Sequence, residues 1–349
     1  MAVADAVAGA ADGAAGADVE LSTVNSNNET FISMKSYNKL NLMVCRGVVA
    51  ALLMGSILPS ALVAAEGAKT FSSPQEAVVA LDQAVNTTNR AALRELFGPD
   101  ANELVNPDSV QGAQEMAAFA SAFNASNRLV RESEAKMVLE VGMNAWPFPI
   151  PLVKVASGWQ FDTAAGIEEL LNRRIGRNEL EALRSMRACV EAQREYASRD
   201  RDGDEVLEYA QRIASSPGQM DGLYWPPELN GEISPLGPLI ADAQGEGYFK
   251  GARERDAGPQ PFHGYLFKLL KRQGKHAPGG KYDYIINDNM IGGFALVAWP
   301  ASYGDSGVMT FIVNQQGRVF QKDLGESTSK IVQQMRAYDP DPLWQVSQD

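Results

Sequence analysis

Apolar positions along this chain change their period twice, and the changes outline its architecture. Ala77, Val78, Leu81 and Val85 recur at helical spacing. Ser73-Pro74-Gln75-Glu76 stands ahead of them, a capping serine with proline at the first helical position and a glutamate three residues on. A second short helix is predicted through Ala91, Leu93 and Leu96, with Gly98 placed to stop it, and a third from Met116 to Phe123. The period then falls to that of strands over 128–131, 136–141, 150–155 and 158–161. Helices followed by strands predict an α+β unit with a curved antiparallel sheet.

Helical spacing returns over 168–175 and 178–196, with Leu180, Leu183, Met186 and Val190 on one stripe and charges opposite. The Gly- and Pro-rich stretch 215–260 predicts loop, with a short helix around Leu239 to Ala243. Strands are predicted over 262–270, 293–299, 308–314 and 318–321, the last two joined by a turn at Gln315-Gln316-Gly317. Met309, Phe311 and Val313 share one side of their strand and Val308, Thr310 and Ile312 the other. With both faces apolar, this antiparallel sheet needs a helix over at least one of them.

Upstream of residue 66 the pattern is that of an export signal. Met34, Lys35, Lys39 and Arg46 lead into an apolar run over 48–58, then Pro59 and Val63-Ala64-Ala65 ahead of Glu66. A membrane anchor needs about 20 uninterrupted apolar residues, whereas this run is broken by Gly55, Ser56, Pro59 and Ser60. Cleavage after Ala65 and a periplasmic or secreted product, with no membrane span left, are the expectation. Residues 1–33, Ala/Gly-rich and then polar, carry no periodicity and read as a disordered leader or an over-long gene start. The remainder, 349 less 65 or 284 residues, suits two domains, 66–162 and 163–349.

A net charge of −12 argues against nucleic acid as a partner and disfavours an anionic membrane surface. Cys45 precedes the apolar run, so it is misplaced for a lipid acceptor and leaves with the signal. Cys189 is then alone, and an exported chain without an internal disulfide must rest on its core. On a helix it reads as a small buried residue.

Five runs carry a resemblance: Trp146-Pro-Phe-Pro-Ile-Pro-Leu-Val153, Gly158-Trp-Gln-Phe-Asp-Thr-Ala-Ala-Gly166, Arg174-Ile-Gly-Arg-Asn-Glu-Leu180, Asp221-Gly-Leu-Tyr-Trp-Pro226 and Gly292-Gly-Phe-Ala-Leu-Val-Ala-Trp-Pro300. In this order they resemble the bacterial family catalogued as domain of unknown function 2950, which implies an exported protein of unsettled biochemical role. Residues 71–162 look like the nuclear-transport-factor-2-like fold. Residues 178–325 look like the head of type IV pilins and pseudopilins, through Gly264-Tyr-Leu-Phe267, Ala298-Trp-Pro300 and Thr310-Phe-Ile-Val313 with Gly317. A soluble domain stands where pilins have their membrane helix, so this likeness implies the head fold without filament assembly.

The sharpest chemistry lies in Asp200-Arg-Asp202-Gly-Asp204-Glu-Val-Leu-Glu208. Acids on alternate positions of a turn can point hard oxygens at one Ca²⁺. Against an EF-hand loop, Asp200, Asp202 and Asp204 fill the first three ligand positions, but Glu205 replaces the glycine and Gln211 the closing glutamate. The candidate ligands of a structural calcium are Asp200, Asp202, Asp204 and Glu208. The bland alternative is an acidic turn capping the next helix. Tyr224-Trp225, in the loop-rich stretch, is the candidate partner surface. Gly304-Asp305-Ser306-Gly307 imitates a serine-protease nucleophile loop, yet neither His263 nor His276 carries the neighbouring motif a triad needs. Two histidines and one cysteine make no zinc set. Glu168 with Glu169, or Asp283 with Asp288, are weak candidates for a glycosidase pair. No catalytic residue is assigned. The expectation is a binding or structural module of the cell envelope, with an envelope protein or polymer as partner, and as alternative a hydrolase acting on peptidoglycan or polysaccharide.

Overall fold

The computed structural model describes residues 67–347 apart from 88, 228, 230, 247 and 249–260; the leader and export signal expected over 1–65 lie outside the described residues. Helix α1 (Pro74–Asn86) begins as its cap predicts: Ser73 Oγ accepts the Glu76 N–H at 3.3 Å, and the Glu76 carboxylate takes the Ser72 N–H at 3.2 Å and hydroxyl at 2.8 Å. Helix α2 (Arg90–Phe97) is capped by Asn89, and α3 (Ser109–Ala125) by Asp108, whose Oδ1 accepts the Val110 and Gln111 N–H groups. Their apolar stripes lie on an antiparallel sheet, β1 (Asn127–Arg131), β2 (Lys136–Val141), β4 (Leu152–Val155) and β5 (Gly158–Phe161) in that order, with β3 (Trp146–Pro147) also on β2. Phe97, Phe119, Phe148 and Phe161 form the centre of this first core, with ring centroids 5.2 to 6.2 Å apart. Phe71 pairs with Trp159 through two 2.8 Å backbone hydrogen bonds, and a Cβ on Gly158 would stand 2.2 Å from Phe71 O, so the opening of β5 admits only glycine.

One prediction fails at the next element. The segments 168–175 and 178–196 are parts of a single 34-residue helix, α4 (Thr163–Tyr196), about 50 Å long. Gly176 weakens a helix by about 1 kcal/mol relative to alanine, which is too little to end one held on both sides of it. Leu170 belongs to the first core, whereas Leu183, Met186, Val190 and Tyr196 belong to the second. The helix is a spine shared by both.

The second core lies between α4 and an antiparallel sheet ordered β12-β11-β10-β9-β6: Gln345–Val346, Phe320–Asp323, Met309–Asn314, Ala295–Pro300 and Tyr265–Leu270. Helix α6 (Thr328–Gln334) covers β9, and Lys268 Nζ donates to its terminal carbonyls at Val332 (2.6 Å) and Met335 (2.9 Å). Every side chain of β9 is buried, so both faces are covered, as the two-sided apolar pattern requires. Helix α5 (Gly237–Glu246) and the short pair β7 (Arg272–Gln273) and β8 (Tyr282–Asp283) complete the α+β architecture. No helix among the described residues is long and apolar enough to cross a membrane.

Candidate functional site

The C-terminal end of α4 is where unusual chemistry collects. Arg201 folds back over the last turn: its Nε donates to Tyr196 O at 3.3 Å, its guanidinium lies 5.0 Å from the Tyr196 ring and 5.1 Å from the Trp225 ring, and Nη1 meets Glu232 at 3.1 Å. This anchor bends the chain so that Asp200, Asp202 and Asp204 bring carboxylate oxygens within 4.8 Å of one another. Asp200 accepts the backbone N–H groups of Gly203 (2.7 Å), Glu205 (2.9 Å) and Asp202 (3.2 Å), and these bonds, Gly203 first, hold its carboxyl below the usual range. Asp202 shifts the other way, raised by desolvation and then by the neighbouring Asp204 charge. Glu205 adopts a left-handed φ of +66°, so this chain makes with glutamate the turn for which an EF-hand uses glycine.

Two parts of the calcium expectation are corrected. Glu208 does not join the cluster; its Oε2 accepts the Met290 N–H at 2.8 Å. No helix follows the loop either, so the helix-capping alternative falls with the EF-hand frame. Instead residues 205–211 run along a hairpin closed by Ile286 and Asn289 around Asn287 and Asp288, both at positive φ as a primed two-residue turn demands. Tyr209 N–H bonds Met290 O at 3.0 Å, Gln211 Nε2 donates to Asp288 O at 2.6 Å, and Asn289 Nδ2 donates to Asp204 Oδ2 at 2.5 Å. Long-range pairing of the segment outweighs its local helical tendency.

Beside the loop opens a cleft of about 650 Å³, within the usual range for small-molecule sites. Tyr196, Met220 and Leu229 contribute to its lining, together with six charged groups: Arg201, Asp202, Glu208, Arg212, Asp221 and Lys271. Some of this charge is spent internally. Arg212 Nη1 stands 3.3 Å from Asp221, and Arg201 is held by Glu232. Burial works against the Asp221 carboxylate, but the Ser216 N–H (2.6 Å) and hydroxyl (2.8 Å) outweigh it and hold the group below its ordinary value. Asp202, Glu208 and Lys271, by contrast, have no ion-pair partner among the described residues; Lys271 Nζ reaches only Gln211 Oε1, at 3.1 Å. The Tyr196 hydroxyl donates to Met220 O at 2.9 Å and is pushed up to about 12 by burial and then by Glu208.

The expected Tyr224-Trp225 surface divides. Trp225 is 1% exposed, belongs to the second core and donates Nε1–H to Glu232 O at 3.0 Å, so it presents no face to a partner. Tyr224 stays half-buried, its backbone paired with Ile213 and Ser215. Adjacent side chains of an extended segment point opposite ways, and burial of the larger ring takes Trp225 inward. Gly222 sits against this pairing: a Cβ there would lie 2.7 Å from Ser215 N. Of the cleft residues, Arg212, Asp221 and Lys271 were missed because the chain scatters them, while Glu208 was read as a metal ligand. The Asp221-Gly222 opening of a recurring motif was the one signal pointing to them.

The other candidates are tied up elsewhere. Asp305 pairs with Arg174 at 2.7 Å, and Ser306 Oγ donates to Ser302 O at 3.1 Å while accepting the Ser302 N–H at 3.0 Å. His263 Nδ1 lies 2.9 Å from Gln111 Nε2 and its Nε2 3.2 Å from Glu246; His276 Nδ1 lies 3.1 Å from Asp339. Glu169 pairs with Arg173 and Asp283 with Arg272.

Residues 68–347 match the family model described as protein of unknown function DUF2950. The chain belongs to that family. Several of the motifs that carried the likeness have structural duties here: Trp146-Pro147 is β3, Gly158 opens β5, and Ala295–Pro300 is the fully buried β9. No curated protein and no solved structure matches this DUF2950 chain, so the pilin and nuclear-transport-factor likenesses rest on the quoted residues alone.

Proposed function

We propose that this DUF2950 protein is an exported binding module of the bacterial cell envelope, periplasmic or secreted, which takes its ligand in the cleft beside the end of α4. The observation that carries this is the unspent charge: Asp202, Glu208 and Lys271 face the cleft without an ion-pair partner among the described residues. Charges that stand at the mouth of a cavity without an ion-pair partner are open to one brought by a ligand. Export is supported by the pattern over 34–65. Within the same proposal, Ca²⁺ held by Asp200, Asp202 and Asp204 would fasten the loop that forms one side of the cleft, a structural role suited to a weak extracellular site.

The test is the thermal unfolding midpoint of the purified protein, first in chelator, then with Ca²⁺, then with soluble fractions of envelope extract. A ligand bound only by the native state raises that midpoint. At least one fraction is expected to raise it by several degrees, an effect lost in Lys271→Met; if no fraction moves it, the binding module is wrong. Calcium is expected to raise it in the parent and not in Asp202→Ala, and a flat response at millimolar Ca²⁺ removes the metal.

A hydrolase acting on an envelope polymer is favoured by one observation, the presence of two carboxyl groups, Asp202 and Glu208, on the same cleft. It predicts release of soluble product from peptidoglycan or polysaccharide, abolished by Asp202→Asn and by Glu208→Gln alike. Absence of product from either polymer would dispose of it.

A further inference from the structure

We infer that the cleft recognises a small cationic zwitterion, one carboxylate accompanied by two amino groups, such as a diamino acid free or at the end of a short peptide. This rests on the cleft being the binding site. Six charged groups line it, three cations and three carboxylates, so its gross charge is zero. The internal pairs change that balance. Arg212 is met by Asp221, and Arg201 is met by Glu232, which lies outside the lining and is shared with Arg199 at 2.9 Å. With the loop free of Ca²⁺, the lining groups left without an ion-pair partner among the described residues are one cation, Lys271, and two carboxylates, Asp202 and Glu208. The complement of that remainder is one anion and two cations, because unlike charges gain from pairing in a partly desolvated cleft while like charges suffer there.

The placement of these groups agrees. Glu208 and Gln211 are both fastened to the 286–290 hairpin, through Met290 N–H and Asp288 O, and Gln211 holds Lys271 at 3.1 Å. Lys271 and Glu208 therefore flank one glutamine, and the amide carbonyl that orients the ammonium does not neutralise it. A ligand whose carboxylate meets Lys271 has Glu208 and Asp202 on the same cleft lining for its amino groups. The Tyr196 hydroxyl at that end of the cleft donates to Met220 O, and it is pushed up first by burial and then by the nearby Glu208 carboxylate. A polyanion such as a nucleotide would meet one free ammonium and two free carboxylates, and a cavity of about 650 Å³ holds a dipeptide without crowding.

The experiment is calorimetric titration of the purified protein at neutral pH and low salt with Ala-Lys, Ala-Glu, Ala-Ala and C-terminally amidated Ala-Lys. Ala-Lys is expected to bind at least about tenfold more tightly than Ala-Ala or its own amide, and Ala-Glu to give no heat. Lys271→Met should erase the effect of amidation, and Glu208→Gln together with Asp202→Asn should erase the preference for Ala-Lys over Ala-Ala. All three side chains sit at or near the surface, so the variants fold, and circular dichroism checks that they do. Equal binding of Ala-Glu and Ala-Lys, or indifference to amidation, overturns the inference. So does silence from every peptide. If an envelope fraction still shifts the unfolding midpoint in a Lys271-dependent way, only the zwitterion is lost; if none does, the cleft as a binding site is lost as well.

Discussion

Two charged regions of this protein invite comparison: the junction where α3 and α4 meet the second module, and the cleft beyond the end of α4. At the junction Glu115 is 2% exposed and lies 2.6 Å from Arg177, Asn106 donates to Glu115 at 3.0 Å, and Asn178 Nδ2 donates to Ser306 O at 2.9 Å. Tyr248, its hydroxyl driven far up by burial and by its 2.5 Å bond to Asp108, joins the same network from the C-terminal side. These groups answer one another. Six charged groups line the open cleft, and three of them, Asp202, Glu208 and Lys271, have no ion-pair partner among the described residues. A buried polar network that satisfies itself fixes geometry, and removing one member leaves another stranded. Charges left unspent beside a cavity cost little in water and become useful when a ligand arrives. Polarity alone therefore does not mark a site; the difference is whether the partner is already in the chain.

That contrast breaks first, if it breaks, at Glu115. Glu115→Ala removes a carboxylate that is 2% exposed and lies 2.6 Å from Arg177, and is expected to cost about 3 to 5 kcal/mol, read from urea unfolding; a loss below about 1 kcal/mol would mean the junction is not a closed network. Arg174→Met should cost less, about 1 to 2 kcal/mol, because its partner Asp305 remains 44% exposed and keeps its water. Lys271→Met on the cleft should change unfolding by no more than about 0.5 kcal/mol while removing ligand binding, and a large stability loss there would turn the cleft into a second junction.

The smallest effects separate two aspartates of one loop. Asp200 has its folded-state carboxyl lowered, so its ion stabilises the fold above the ordinary carboxylate value, and that contribution is lost as pH falls through the lowered one. Asp202 is raised, so its ion opposes folding above the ordinary value, and the penalty is relieved as pH drops through the raised one. In chelator at neutral pH, Asp200→Asn should lower the unfolding midpoint and Asp202→Asn raise it slightly. Both differences should fade once the pH is well below about 4, where carboxyls are protonated in either state. Excess Ca²⁺ should reverse the sign for Asp202→Asn if the loop holds the ion, and an unchanged order in calcium would leave Asp202 to the cleft alone.

Local signals were strong where a residue acts on its own neighbours. Ser73 and Glu76 announced α1, the two-sided apolar pattern over 308–314 announced a covered sheet, and Cys189 sits buried on α4, its thiol pushed up to about 12 by desolvation. Legibility ended where distant segments compete. The break expected near Gly176 vanished because both cores grip one helix, and the helix expected after the acidic loop gave way to pairing with the 286–290 hairpin.

What the sequence by itself determined is the α+β class, the capped helices, and the proximity of Asp200, Asp202 and Asp204, since a turn brings alternate residues together through a few local hydrogen bonds. Only the tertiary structure decided that Trp225 is core, that Glu208 serves Met290 rather than the acidic cluster, and that Lys271 lines one cleft with carboxylates more than 60 positions earlier. Periodicity reports which face of an element is buried, but it carries no information on which elements face each other. A cleft is made of those facings, so its residues become neighbours only when the chain has packed.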